Sequence, residues 1–342
     1  MAGEKTPWHR RTTIEDVATH ARVSRAAVSK VIRNAYGVSD EMRLRVNSSI
    51  EALHYRPRIS ARGMRGRTFT IGVVVNDITN NFVAEILLGA SSVIAGTQFQ
   101  TIIAVADSSA ASYPAIESLY DRQVDGIIAV SPLAEAGWLD DMGTKVPMVQ
   151  IGVHEASESF DTIIGDDKRG VAMMMRHLMD LGHRRIAHVT HLDPDWISLP
   201  DRPHIIRQNE YRRIMRESGL EDEIAIITAR FEESTSYLES RRAFEDGLRP
   251  TAVFAGNDDA AFGTMRAAAE FPELARMSVA GYDDSHMAAH PRIGLTTINQ
   301  NGREMGRRAV ELLLERVEGR REARYIEIPT RLVVRTSTFA AE

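Results

Sequence analysis

The spacing of apolar and polar residues divides this chain into two textures. Over residues 13–33, TIEDVATHARVSRAAVSKVIR, apolar positions recur every three to four residues in two short bursts, the spacing of amphipathic helices. Thr13 is placed to cap the first burst, with Asp16 three residues on, and Ile14, Val17 and Ala18 share one face. Ala21, Arg22 and Val23 then make a turn, and Ser24 caps a second helix that carries Ala27, Val28, Val31 and Ile32 inward. A third helix, capped by Ser39, has Met42, Val46, Ile50 and Leu53 as its buried stripe. Three small helices with this spacing predict a helix-turn-helix unit.

From Thr68 onward, short apolar runs alternate with amphipathic stretches. The runs are 70–77, 101–107, 126–130, 147–152, 185–191, 224–230, 252–258 and 277–283. Strands apolar throughout fit parallel sheets covered by helices on both faces, with ligands bound beyond the strand C-termini. Several runs end in polar residues: Asp77, Asp107, Ser131, His191, Asn257 with Asp258, and Asp283. So many strands exceed one compact sheet of this length and predict two similar halves facing a cleft.

Charge sharpens the division. Residues 1–67 hold 14 Lys and Arg against 6 Asp and Glu, whereas the remaining residues hold 28 against 41. The stretch from Tyr55 to Arg67 has five arginines and no acid. A basic head on an acidic body suits a segment that meets a polyanion while the rest avoids it. The chain has 342 residues and no cysteine, which excludes disulfides, iron–sulfur clusters, cysteine-ligated zinc and thiol catalysis. No run of about 18 apolar residues occurs and the N-terminus has no apolar segment, so a cytoplasmic protein with no membrane contact is expected. Glycine-rich phosphate loops, Gly-x-Ser-x-Gly and His-Glu-x-x-His are missing, so no enzyme is expected. His188 and His191, three residues apart on a strand edge, read as non-ligands, and no cofactor is expected.

Thr13-Ile14-x-Asp16-Val17-Ala18, Val23-Ser24-x-x-x-Val28-Ser29, Val38-Ser39, Arg43, Arg45-Val46, Leu53, Tyr55 and Pro57 together resemble the headpiece of the lactose/galactose-repressor family. The resemblance implies a DNA-binding headpiece at 1–56, a hinge helix or linker at 57–67 and an effector-binding, dimerising domain at 68–342. It places the second helix in the major groove of double-stranded operator DNA, with Arg25, Ala26 and Lys30 reading bases. Arg25 and Lys30 can donate to guanine O6 and N7, and Ala26 can touch a thymine methyl. Thr13, Ser24, Ser29, Arg33, Tyr55, Arg58 and Ala61 complete the implied DNA surface, Arg22 and Arg33 as phosphate contacts. Met64 matches the side chain that wedges between base steps in the minor groove. Gly63 and Gly66 lower hinge helicity by nearly 1 kcal/mol each, so the hinge helix is expected only on DNA. Three residues depart from the family: Arg22 replaces a common glycine, Ala27 a threonine and Arg58 an asparagine.

Further along, Asp77-Ile78-Thr79-Asn80-Asn81-Phe82, Leu181-Gly182-His183-Arg184-Arg185-Ile186 and Gly281-Tyr282-Asp283-Asp284 resemble the effector domain of the same family. The implied fold is a small all-α helix-turn-helix headpiece plus an α/β periplasmic-binding-protein-like effector domain of two doubly wound subdomains. These would span about 69–167 plus 295–325, and about 168–294 plus 326–340. The implied pocket draws on Phe82, Asp107, Ser131, Asp166, Arg207, Asn257 and Asp283, with Asn80 beside them, and Trp196 in an extended loop could stack on a ligand or cover the cleft. Asp166 and Asn257 could equally be helix caps, and Asp283 a turn residue. Carboxylates to accept hydroxyl protons, Arg207 and Asn257 to donate and an apolar face on Phe82 favour a sugar, with a purine or other small metabolite as the alternative. The expected function is a dimeric repressor released from a pseudo-palindromic operator by the sugar. The competing readings are a corepressor-dependent regulator and a sugar-binding protein without regulatory role. No leucine-heptad helix follows Thr338, so a homodimer rather than a tetramer is expected.

Overall fold

The computed structural model describes residues 12–32, 35–55, 67–106, 111–191 and 200–341. Arg33, Arg58, Ala61, Met64, Asp107 and Trp196 lie outside the described residues, so the expectations resting on them find no structural counterpart. The chain forms two compact units that meet at Thr68 and Phe69.

Among its described residues the first unit has three helices, α1 (Ile14–Ala21), α2 (Arg25–Ile32) and α3 (Asp40–Ala52). Thr13 and Asp16 form a reciprocal cap: the Thr13 N–H donates to the Asp16 carboxylate at 2.8 Å, and the Asp16 N–H donates back to Thr13 Oγ1 at 3.3 Å. Val17, Val28, Val31 and Val46 are buried together, with Met42, Ile50 and Leu53 packed against them. Ala27, expected inward, is outside this cluster and only half-buried; its N–H is committed to the Ser24 hydroxyl at 3.2 Å. Arg22 ends α1 at φ 55° and ψ 47°, and the next N–H, of Val23, closes the helix on Ala18 O at 3.0 Å. That closure needs a left-handed residue, the conformation glycine adopts without penalty.

The second unit holds two six-stranded sheets. The first comprises β1 (Thr70–Val75), β2 (Gln100–Val105), β3 (Gly126–Val130), β4 (Met148–Ile151), β5 (Asp161–Gly165) and β11 (Tyr325–Ile328). Its order is β11-β5-β4-β3-β1-β2. The second comprises β6 (Ile186–His191), β7 (Ala225–Ala229), β8 (Ala252–Ala255), β9 (Ser278–Asp283), β10 (Thr296–Asn299) and β12 (Arg331–Val333), in the order β12-β10-β9-β8-β6-β7. Pairing is parallel except between β10 and β12. Helices α4 (Asn81–Ile94), α5 (Tyr113–Asp121), α6 (Ala136–Lys145) and α11 (Gly302–Val317) cover the first sheet. Helices α7 (Asp167–Asp180), α8 (Pro203–Glu217), α9 (Glu233–Glu245) and α10 (Asp258–Ala268) cover the second. Two glycines let α4 and α11 touch backbone to backbone: a Cβ on Gly306 would strike Ile86 O, and one on Gly89 would strike Arg303 O.

Two expectations need correction. The subdomain boundary expected near 295 falls just before β10, and the one near 325 falls at the start of β11. β10 is hydrogen-bonded to β9 and β12 and so stays in the second sheet to Asn299, while β11 is hydrogen-bonded to β5 and returns to the first sheet until Ile328. The crossovers therefore lie near Asp166, Gln300 and Pro329. The expectation of strands buried on both faces fails at β2, whose Ile102, Ile103 and Val105 are exposed because it is an edge strand paired only with β1.

His188, on the central face of β6, is fully buried. Its Nδ1–H donates to Phe254 O at 2.8 Å, and its ring stacks on Tyr211 and Phe254 at 5.1 and 4.9 Å. Burial pushes the ring down to about 4.

Replacing Arg22 with glycine should raise headpiece stability by about 1 kcal/mol by removing left-handed strain, read as a higher first transition in calorimetry. For His188 the unfolded chain takes up a proton below a pH of about 6.5 while the native one resists until about 4. Its stabilisation is therefore complete above the first value and lost as pH falls through the second. Urea titrations from pH 7 to 4 should show His188→Leu losing roughly 3 kcal/mol less over that interval than the parent.

Candidate functional site

Two surfaces carry the chemistry, one in each unit. On the headpiece, the first turns of α2 leave Arg25, Ala26 and Lys30 exposed on one side, while Val28 and Val31 on the other are buried. Ser29 is half-buried, and Thr13 and Ser24 stand at the starts of α1 and α2 as caps. Two helix N-termini and two exposed cations suit phosphate and base edges. Tyr55 is placed differently from the expected contact surface. It packs into the headpiece core at 9% exposure, because the chain turns back at His54 and the Tyr55 N–H closes on Ile50 O at 2.9 Å.

In the second unit a cavity of about 520 Å³ opens between the strand C-termini of the two sheets. From the first sheet it receives Asn76 and Asp77 after β1, Asn80 and Phe82 at the start of α4, and Ser131 after β3. The second sheet contributes His191, Phe231, Asn257 and Asp283 from strand ends, with Arg202, His204 and Arg207 from the start of α8. Gln300, on the crossover into α11, completes it. The cavity thus gathers Asn80, Phe82, Ser131, Arg207, Asn257 and Asp283 from the residues named by sequence. Asp166 is not among its lining; its carboxylate caps α7 by accepting from the Arg169 N–H at 3.0 Å.

Local structure aims these side chains. Asn80 caps α4 by accepting from the Phe82 N–H at 2.8 Å, which turns the phenyl ring to the cavity mouth. Gly302 leaves room for that ring, since a Cβ there would sit 3.0 Å from Phe82. Across the cleft Phe231 lies on Gly256 in the same way. Asn257 caps α10, accepting from the Ala260 N–H at 2.8 Å, and its Nδ2 donates to Phe231 O at 3.3 Å. Capping and lining coexist in this residue.

Arg207 is held on three sides. Its Nε donates to Asp167 Oδ1 at 2.7 Å, one terminal nitrogen donates to Gly256 O at 2.7 Å, and the guanidinium carbon lies 3.7 Å from the centre of the Tyr282 ring. Burial alone would raise the Asp167 carboxyl, but the Arg207 charge and a hydrogen bond from His154 hold it below its usual range. Asp283 behaves oppositely. Burial, with the nearby charge of Asp258 added and that of Arg207 opposing, raises its carboxyl well above the carboxylate range. It accepts from Gln300 Nε2 at 2.5 Å and sits at φ 120°, a strained backbone for a residue with a side chain. In its protonated form such a carboxyl can donate to one ligand hydroxyl and accept from another.

Sequence reasoning missed Asn76, Arg202, His204, Arg230, Phe231, Gln300 and the supporting Asp167. The Asp166-Asp167 doublet was the available signal: a cap takes the first acid, and helical rotation turns the second inward. Arg202 and His204 lie within the extended loop between His191 and Arg207 marked in the sequence, but which of its residues face the cleft depends on how it packs. Among the described residues, no His, Asp and Glu cluster could hold a metal ion, and no helix is long and apolar enough to cross a membrane.

Residues 13–58 match the family "Bacterial regulatory proteins, lacI family", and residues 175–338 match the "Periplasmic binding protein-like domain". The HTH-type transcriptional repressor PurR of Vibrio atlanticus is 32% identical over 339 residues, spanning 95% of this chain and 98% of that protein. The ribose operon repressor of Haemophilus influenzae is 28% identical over 336 residues, spanning 96% and 99%. Among solved structures, a lac repressor dimer bound to operator and the anti-inducer ONPF superposes with a TM-score of 0.78 at 25% identity, covering 97% of this chain and 100% of that one. With its helix-turn-helix headpiece, its paired α/β halves and full-length similarity to these repressors, the chain belongs to the lacI family of bacterial regulatory proteins.

Proposed function

We propose that the chain acts in the cytoplasm as a homodimeric, sequence-specific repressor that leaves a pseudo-palindromic operator when a sugar fills the cavity between its two halves. One observation carries the reading. Hydrogen-bonding side chains from both sheets converge on a single cavity with an aromatic ring on each wall, in a chain whose separate basic unit exposes Arg25, Ala26 and Lys30. Phe82 and Phe231 offer flat apolar faces for the C–H side of a sugar ring, while Asp283, Asn257 and Arg207 offer donors and acceptors for its hydroxyls. The similarity to a ribose operon repressor supports the same ligand class.

A ligand touching both halves favours the relative orientation in which those contacts form, and linkage then changes DNA affinity by the factor that DNA changes ligand affinity. The exposed apolar edge at β2 supports a dimer, because pairing with a second copy would cover Ile102, Ile103 and Val105. No reaction is assigned to the protein.

Affinity selection of genomic fragments by the full-length protein tests the reading, with residues 68–342 as control and the salt concentration fixed. Enrichment of palindromes by the full chain alone, reversed by one of a panel of sugars, is the expected result; no enrichment with or without sugars would overturn it. Within selected operators, Lys30→Ala should relax preference at one or two base pairs of each half-site, costing roughly 1–3 kcal/mol there. A uniform loss across operator variants would make Lys30 a phosphate contact instead. Asp283→Ala should keep operator affinity within about twofold of the parent while weakening the sugar response at least roughly tenfold, both read by fluorescence anisotropy.

A further inference from the structure

His154 lies between β4 and β5, in the first half, and does not line the cavity. Its Nε2–H donates to Asp167 Oδ2 at 2.7 Å, across to the first turn of α7 in the second half. Asp167 is 1% exposed, and its other oxygen accepts from Arg207 Nε. One buried carboxylate therefore divides its two oxygens between the halves. The same region is tied twice more: the His154 N–H donates to Asp201 O at 2.8 Å, and Arg202 donates to Pro132 O at 2.8 Å. These contacts seat the start of α8, the helix that carries Arg207 into the cavity.

The geometry decides what His154 does. A carboxylate with both oxygens free takes an arginine in the two-point fork, accepting from Nε and a terminal nitrogen together. With Oδ2 occupied by His154, Asp167 holds Arg207 through Nε, one terminal nitrogen goes to Gly256 O, and the remaining guanidinium edge is left for the cavity. We propose that His154 is a positioning residue for effector binding, which keeps Asp167 from forking onto Arg207 and makes the aim of Arg207 depend on contact between the two halves. This rests on the cavity being the effector site. Arg207 is then presented correctly only while the first half grips the start of α8, so ligand affinity and cleft geometry are coupled through one side chain.

The test uses full-length protein and three variants. In His154→Ala, hydrogen exchange over residues 201–210 should rise severalfold without ligand, while the thermal midpoint stays within about 2 °C of the parent. His154→Gln, whose amide nitrogen reaches where Nε2 stood, should restore the parental rate. D-ribose and cellobiose serve as probes: whichever binds the parent should bind His154→Ala roughly tenfold more weakly and His154→Gln nearly as the parent does. Unchanged exchange in His154→Ala, a glutamine variant as impaired as the alanine one, or a probe bound equally by all would overturn the proposal. If His154→Ala does not fold, His154→Asn, whose shorter amide falls short of Asp167, takes its place in the same comparison. If neither sugar binds the parent, neither is the effector, the sugar panel decides the reading of the cavity, and the exchange arm alone still decides the role of His154.

Discussion

Everything in the larger unit depends on the chain passing between its two sheets at three neighbouring places. The crossovers are bonded to one another: the Asp166 N–H donates to Ile328 O at 3.3 Å, Thr330 Oγ1 donates to Asp166 O at 3.2 Å, and Asn301 Nδ2 reaches Pro329 O at 3.4 Å. Three adjacent covalent links allow the halves to rotate about a common line but not to separate. Because every strand pair except β10 with β12 is parallel, the strand ends that carry polar side chains open toward the same cleft. The cavity is a consequence of this topology rather than of any one residue.

The polar groups placed there are costly to bury, and the charged ones at its centre are matched by specific partners. Arg207 lies between Asp167, Gly256 O and the Tyr282 ring. Asp258, behind the lining, accepts from Thr297 Oγ1 at 2.6 Å and from the Ser285 N–H at 2.7 Å, although burial still raises its carboxyl. Gln300 links the two themes, since it stands on a crossover and donates to Asp283. Gln300 thus joins a carboxyl of the cavity to the crossover between the two halves. Removing one partner from such a set leaves an uncompensated buried group, so these residues constrain one another more than their exposed neighbours do.

The headpiece follows a different economy. Its core is small, and reciprocal capping at Thr13 and Asp16 and the tight end of α1 matter correspondingly more. An arginine occupies the left-handed position where glycine would be unstrained, so this family member accepts backbone strain for a cation beside the recognition helix. Tyr55 shows the reverse substitution of roles, with a residue that resemblance places at DNA serving as core packing.

The helix-turn-helix spacing, the caps at Thr13, Ser24 and Ser39, the alternation of strands and helices and the change of charge near residue 67 were all legible in the sequence, because each is set by interactions within a few residues. Phe82, Ser131, Arg207, Asn257 and Asp283 were named through the family resemblance, and the cavity gathers them from two helix starts and three strand ends. Short strands such as β5, β10, β11 and β12 were not legible, because three to five mixed residues carry no period of their own and become strands only by hydrogen bonding to a neighbour. For the same reason the second and third crossovers lay several residues from their expected positions, while the first lay where it was expected. Which of two adjacent acids caps α7 and which holds Arg207, and that His154 shares Asp167 across the cleft, was decided by tertiary structure alone: residues 154, 167 and 207 share no local pattern, and only the packing of two halves brings them within hydrogen-bond distance.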